Sequence, residues 1–168
     1  MRKTNPLFFY LALVALTLVS AQPSVAQSIS APPKQAQTQY LNPDRLTKPT
    51  GYTQVVVVAE PEKLIYVSGQ TARSAAGEIV GKGDLRAQVT QAMENLRTAL
   101  AAAGATMQDI IKLNYYVVNL KQDQVPVIRA VREKYLTGEH PPAATLVGVT
   151  ALAQADLMVE IEAVAARR

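Results

Sequence analysis

Between Asp84 and Gly104 the apolar residues Leu85, Val89, Met93, Leu96, Leu100 and Ala103, with Ala92 beside Met93, recur at steps of three and four. That spacing gathers them on one stripe of an α-helix and is incompatible with a strand, whose faces repeat every second residue. Asp84 is suited to cap the helix start and Gly104 to end it. A helix with one apolar stripe must be buried against another element, and residues 157–166 offer one. There Leu157, Val159, Ile161, Ala163 and Ala165 alternate with Met158, Glu160, Glu162, Val164 and Ala166, the period of a strand. The first set is expected to face the helices. The second, with its two carboxylates, is expected to face away from them.

Residues 54–58 and 63–67 are β-branched runs separated by Ala59-Glu60-Pro61-Glu62, and a hairpin is the simplest reading. Residues 110–118 read as a strand. Residues 125–136 read as a second helix with Val127, Ile128, Val131 and Tyr135 inward, Pro126 being tolerated only in its first turn. A strand at residues 145–149 follows His140-Pro141-Pro142. The order strand, strand, helix, strand, helix, strand, strand predicts an α+β layer with both helices on one face of the sheet. The other face is apolar at residues 55–58 and 65–67 and needs cover. A symmetric oligomer with its sheets packed inward provides it, and any pocket then lies between subunits near Glu160.

The folded part is expected at residues 51–168, behind two appendages. Residues 1–26 combine Arg2 and Lys3, an uncharged apolar run at 7–19, and small residues ending in Ser24-Val25-Ala26, the layout of a cleavable secretory signal. The mature chain is then expected to begin at Gln27, in the periplasm or outside the cell, without a membrane attachment. The apolar run is short of the ~20 residues a membrane span needs. Residues 27–50 hold Pro32, Pro33, Pro43 and Pro49 among polar residues and read as a disordered or extended arm.

Composition narrows the chemistry. With no cysteine, the chain has no disulfide, thiol nucleophile or thiolate metal site. Its one histidine, His140, precedes two prolines and is expected at the surface, so no metal site is expected. Without Arg2 and Lys3, 15 basic residues face 13 acids, a dispersed excess that gives no footing for nucleic acid. The glycines do not form a phosphate-cradling pattern, and no cofactor is expected.

The pieces Gly51-Tyr52-Thr53-Gln54, Val67-Ser68-Gly69-Gln70, Gly77-Glu78-Ile79-Val80, Asn95-Leu96 with Ala103-Gly104, and the run from Glu160 to Arg168 occur in one order along the chain. In that order they resemble the RidA (reactive intermediate deaminase) family over residues 51–168. The resemblance implies a chorismate-mutase-like mixed sheet, a homotrimer with a barrel-like centre, and small-molecule clefts between subunits. It implies hydrolysis of short-lived enamines and imines to 2-keto acids and ammonia without a cofactor. By the same resemblance Glu160 is the catalytic glutamate near the attacking water, and Tyr52, Ser68 and Gly69 line the cleft.

The family's carboxylate-binding arginine falls in a Pro-Ala-Arg-Ser/Thr pattern, and here that stretch is Pro142-Ala143-Ala144-Thr145. Ala144 stands where the arginine belongs, with Thr145 beside it. Losing one partner of a buried, doubly hydrogen-bonded charge pair costs ~2–5 kcal/mol, which makes a carboxylated imine a poor substrate and a neutral or cationic ligand a better one. Arg129 aligns with an asparagine often found in the family's second helix. It is not expected to replace the missing guanidinium, because a helix start and a strand end aim side chains differently. Arg73, in the loop after the Ser68-Gly69 strand, is another conceivable anion anchor. Glu162 is read as a solvated sheet-face carboxylate. Two functions follow: a hydrolase of imine-like substrates with altered specificity, or a non-catalytic trimer that binds a small molecule or a protein partner at the same clefts.

Overall fold

The computed structural model describes residues 38–167. The elements run β1 (Thr38–Leu41), β2 (Val55–Val58), β3 (Lys63–Thr71), α1 (Leu85–Ala102), β4 (Ile110–Val118), α2 (Gln124–Arg132), β5 (Ala143–Val149) and β6 (Val159–Arg167), with a single 3₁₀ turn at Met107–Asp109 before β4. Four strands form the main sheet in the order β3-β6-β4-β5. The first three are mutually antiparallel, and β5 joins β4 in parallel. The sheet is therefore mixed, as expected, and α2 is the crossover that a parallel β4–β5 pair requires. The expected leader, residues 1–26, and the first part of the expected arm lie outside the described residues.

The long helix is built as its periodicity predicts. The Asp84 carboxylate accepts from the Ala87 N–H at 3.1 Å, and Leu85, Val89, Ala92, Met93, Leu96 and Leu100 are buried. They meet Leu113, Tyr115 and Val117 of β4 and Val159, Ile161, Ala163 and Ala165 of β6 in one core. The alternation read from residues 157–166 thus sorts the faces correctly. Lys112, Asn114, Tyr116, Glu160, Glu162 and Val164 line the opposite face, half-buried.

Two expectations about pairing and length need correction. Residues 54–58 and 63–67 do not form a hairpin: β2 pairs antiparallel with β1, whereas β3 pairs with β6. Pro61 and the left-handed Glu60 (φ 49°) lie between the two runs and turn the chain instead of closing it. The end of the stretch read as an arm, Thr38–Leu41, is thus a strand, ahead of the Gly51 boundary. The second helix is also shorter than residues 125–136, ending at Arg132, after which the Tyr135 and Leu136 amides close turns on the Arg132 carbonyl. Ile128 and Val131 are buried as expected. Tyr135 packs against the core as expected, and its hydroxyl donates to Glu94 of α1 at 2.7 Å.

Candidate functional site

Two local arrangements place the residues singled out from the sequence. The first lies at the β5 edge. Thr53 runs parallel to Ala143, its N–H donating to the Pro142 carbonyl at 3.1 Å and its hydroxyl to that of Pro141. Those bonds fix Tyr52 beside Ala144, and both line a cavity of about 290 Å³ with Thr50, Tyr115, Val125, Ile128, Arg129, Arg132 and Leu146. Ala144 and Leu146 pair with Leu113 and Tyr115, so they share the helix-side face of the sheet. Val125, Ile128, Arg129 and Arg132 follow the i, i+3, i+4, i+7 spacing that puts them on one face of α2. The geometry therefore brings Arg129 to the Ala144 position after all, joined by Arg132, which the sequence reading did not weigh.

The second arrangement lies at the β3 edge. The β3–β6 register shifts between Val67 and Gln70, leaving Ser68 and Gly69 opposite the single residue Glu162. Such a bulge re-aims side chains and exposes backbone groups beside a strand. A Cβ built on Gly69 would collide with the carboxylate of Glu160, so glycine is what lets that carboxylate lie over the bulge. Ser68 opens into a separate cavity of about 260 Å³ on the open face of the sheet, lined also by Tyr66, Lys112, Asn114 and Glu162.

Glu162 is not a free solvated carboxylate. It accepts from the Asn114 amide at 2.6 Å and from the Tyr116 hydroxyl at 2.8 Å. Those two bonds, the Asn114 one foremost, hold its carboxyl below the ordinary value, and the hydrogen bond to Glu162 in turn raises the Tyr116 phenol. Thr145 belongs to this face too, accepting from Lys112 Nζ at 2.6 Å, and does not line the Tyr52–Ala144 cavity. Arg73 is engaged within its own loop. Its guanidinium donates to the Gly77 carbonyl at 2.6 Å, while Asn95 of α1 pins that loop by donating to the Thr71 and Arg73 carbonyls.

His140 is exposed and stacks on Tyr40, ring centroids 4.7 Å apart. Among the described residues no group of histidines and carboxylates could hold a metal ion, and no helix is long and apolar enough to cross a membrane.

A four-stranded mixed sheet backed by two helices, with a glycine bulge against a glutamate, defines a class of small α+β proteins with sites at the sheet edges. A family model described as endoribonuclease L-PSP matches residues 43–167. A RutC family protein of Pyrococcus abyssi is 34% identical over 124 residues, 73% of this chain and 91% of its own length. A 2-iminobutanoate/2-iminopropanoate deaminase of Dermatophagoides farinae is 30% identical over 113 residues, 67% of this chain and 83% of its own. The crystal structure of a conserved Rid family protein of Yersinia pestis superposes with a TM-score of 0.71 at 36% identity, covering 77% of this chain and 98% of that one. The chain belongs to the RidA (YjgF) family.

Proposed function

We propose that this protein hydrolyses imines without a cofactor, at a cleft completed by a neighbouring copy of the chain and with specificity altered by Ala144. The observation that carries the reading is the Glu160 carboxylate seated over the Ser68-Gly69 bulge, where a carboxylate beside exposed backbone groups can hold and deprotonate a water. That one relative is an imine deaminase supports the same chemistry. Water adds across the C=N bond, its oxygen to carbon. Glu160 takes the water proton and returns it to nitrogen, and the carbinolamine collapses to a carbonyl and ammonia. Atoms balance with water as the only co-reactant.

The two arrangements lie at opposite edges of the sheet, three strand spacings apart, or about 14 Å. One chain cannot present both to one small substrate. A ring in which the β5 edge of one copy meets the β3 edge of the next can, and a closed trimer is the ring we favour. The reading includes export of a mature chain starting at Gln27, so that the substrate arises in the periplasm or outside the cell.

Ammonia release from imines generated in situ by an amino-acid or amine oxidase tests the chemistry. The native protein is expected to raise the rate and Glu160→Gln to abolish the increase. Equal rates for the two would overturn the role of Glu160. No turnover by the native protein, with a gain in Ala144→Arg, would replace the hydrolase with a binding protein on the same scaffold.

A further inference from the structure

We infer that the cavity between α2 and β5 is an anion site, in which Arg129 and Arg132 hold the carboxylate of a small acid with an aliphatic side chain. The inference rests on the hydrolase reading for its biological sense: the carboxylate that the family's arginine would hold is held in this chain from α2, despite Ala144. Three independent features of the cavity support it.

The first is the arginine pair. Arg132 has only 13% of its side chain exposed, and its nearest carboxylate is that of the exposed Glu133 at 3.9 Å, beyond hydrogen-bond range. Gly51, at φ 76°, packs its backbone so closely on the Arg132 guanidinium that a Cβ there would strike it. The loop thus holds the fork in place. Arg129, one turn earlier, lines the same cavity, and its guanidinium has no hydrogen-bond or ion-pair partner among the described residues. A mostly buried guanidinium without a carboxylate is costly unless an anion joins it, and two forks i, i+3 apart can grip one carboxylate.

The second feature is Tyr115. It is 3% exposed and lines the cavity, yet its hydroxyl has no hydrogen-bond partner among the described residues. A buried donor left unmade is unfavourable, and a carboxylate oxygen held by the arginines would accept from it. Burial keeps this phenol protonated, pushing it well above the ordinary tyrosine value, with Arg132 opposing in part. It is therefore a donor at any physiological pH.

The third is the wall. Val125, Ile128, Ala144 and Leu146 line the rest of the cavity with hydrocarbon. Alanine at 144 leaves room that an arginine would occupy, so an aliphatic substituent fits where a second charge would be desolvated without a partner.

The probes are stable keto acids titrated into the purified protein by calorimetry: 4-methyl-2-oxopentanoate, its uncharged amide, and 2-oxoglutarate. The acid is expected to bind at least about tenfold more tightly than the amide. Arg129→Gln and Arg132→Gln should each weaken the acid about tenfold or more and leave the amide unchanged, with Tyr115→Phe weakening it less. 2-Oxoglutarate, whose second carboxylate would meet the apolar wall, should bind more weakly than the aliphatic acid. Acid and amide binding alike, or an acid affinity untouched by the arginine changes, overturns the site. If Arg132→Gln loses its fold in a melting control, Arg129→Gln decides alone. Arginine-dependent binding without ammonia release would defeat the hydrolase and keep the site. Turnover of imines that ignores both arginines would do the reverse.

Discussion

Glu162 shows what one carboxylate gains from its register on the sheet. Asn114 lies directly opposite it across the β4–β6 pair, and Tyr116 is the diagonal neighbour on the same face. Both donate to the same oxygen, which lowers the carboxyl from its ordinary 4.5. A group whose folded pKa is depressed stabilises the fold above its unfolded value, and that contribution is lost as the pH falls through the folded one. Melting temperature should therefore fall on acidification below about pH 4.5, and Glu162→Gln should flatten part of that fall. The remainder belongs to Glu94, lowered in the same sense by Tyr135 and then by Arg97. Identical acid slopes in the two proteins, followed by calorimetry from pH 7 to pH 3, would contradict the assignment. Much of the site is legible from short motifs that name Tyr52, Ser68, Gly69 and Glu160. Asn114, Glu162 and Arg132 are not, because their partners are fixed by strand register and by which face of α2 turns to β5. Spacing along the chain carries neither.

Helix α1 is tied to its surroundings by a polar residue inside its apolar stripe. Gln88 is fully buried; its amide donates to the carbonyls of Asp156 at 2.7 Å and Gly81 at 3.3 Å, and its oxygen accepts from the Met158 N–H at 2.8 Å. One side chain thus fastens both the loop before the helix and the chain entering β6. Gln88→Leu keeps the volume but leaves those three backbone groups without their partner, and it should cost about 2–4 kcal/mol. A loss under about 1 kcal/mol in urea unfolding would show that water replaces the amide there. The apolar pattern foretold the helix and its buried face but not this residue, since a glutamine at a stripe position reads as an interruption. The strands show the same division. β6 is legible because alternation reports burial on one side, whereas Val55–Val58 is all β-branched and says nothing about its partner. A run that is apolar on both faces leaves register and neighbour open, and β1, in a stretch read as an arm, takes the place assigned to β3.

At the scale of the molecule, the sheet face away from the helices carries exposed apolar side chains at both of its edges. Tyr66 is 74% exposed and Leu64 46% on β3, and Val147 is 39% exposed on β5. Patches of that kind mark interfaces. They flank the polar cluster of Lys112, Asn114, Glu162 and Thr145, in which Lys112 donates to Thr145 and Asn114 to Glu162. On the proposed reading, the two arrangements at opposite sheet edges call for what would also cover these residues, a neighbouring copy in a head-to-tail ring. Sizing with light scattering should accordingly return three times the mass of one chain, and Tyr66→Glu should shift it toward the monomer by placing a charge where the sheets meet. The coupled readout is ammonia release: the monomeric variant should lose it with Glu160, Gly69 and the α2 arginines all intact, because no single chain brings them together. A monomer that turns over imines at the native rate would mean that one edge of the sheet is a complete site, and the search for the water-activating group would move to the Tyr52–Ala144 cavity.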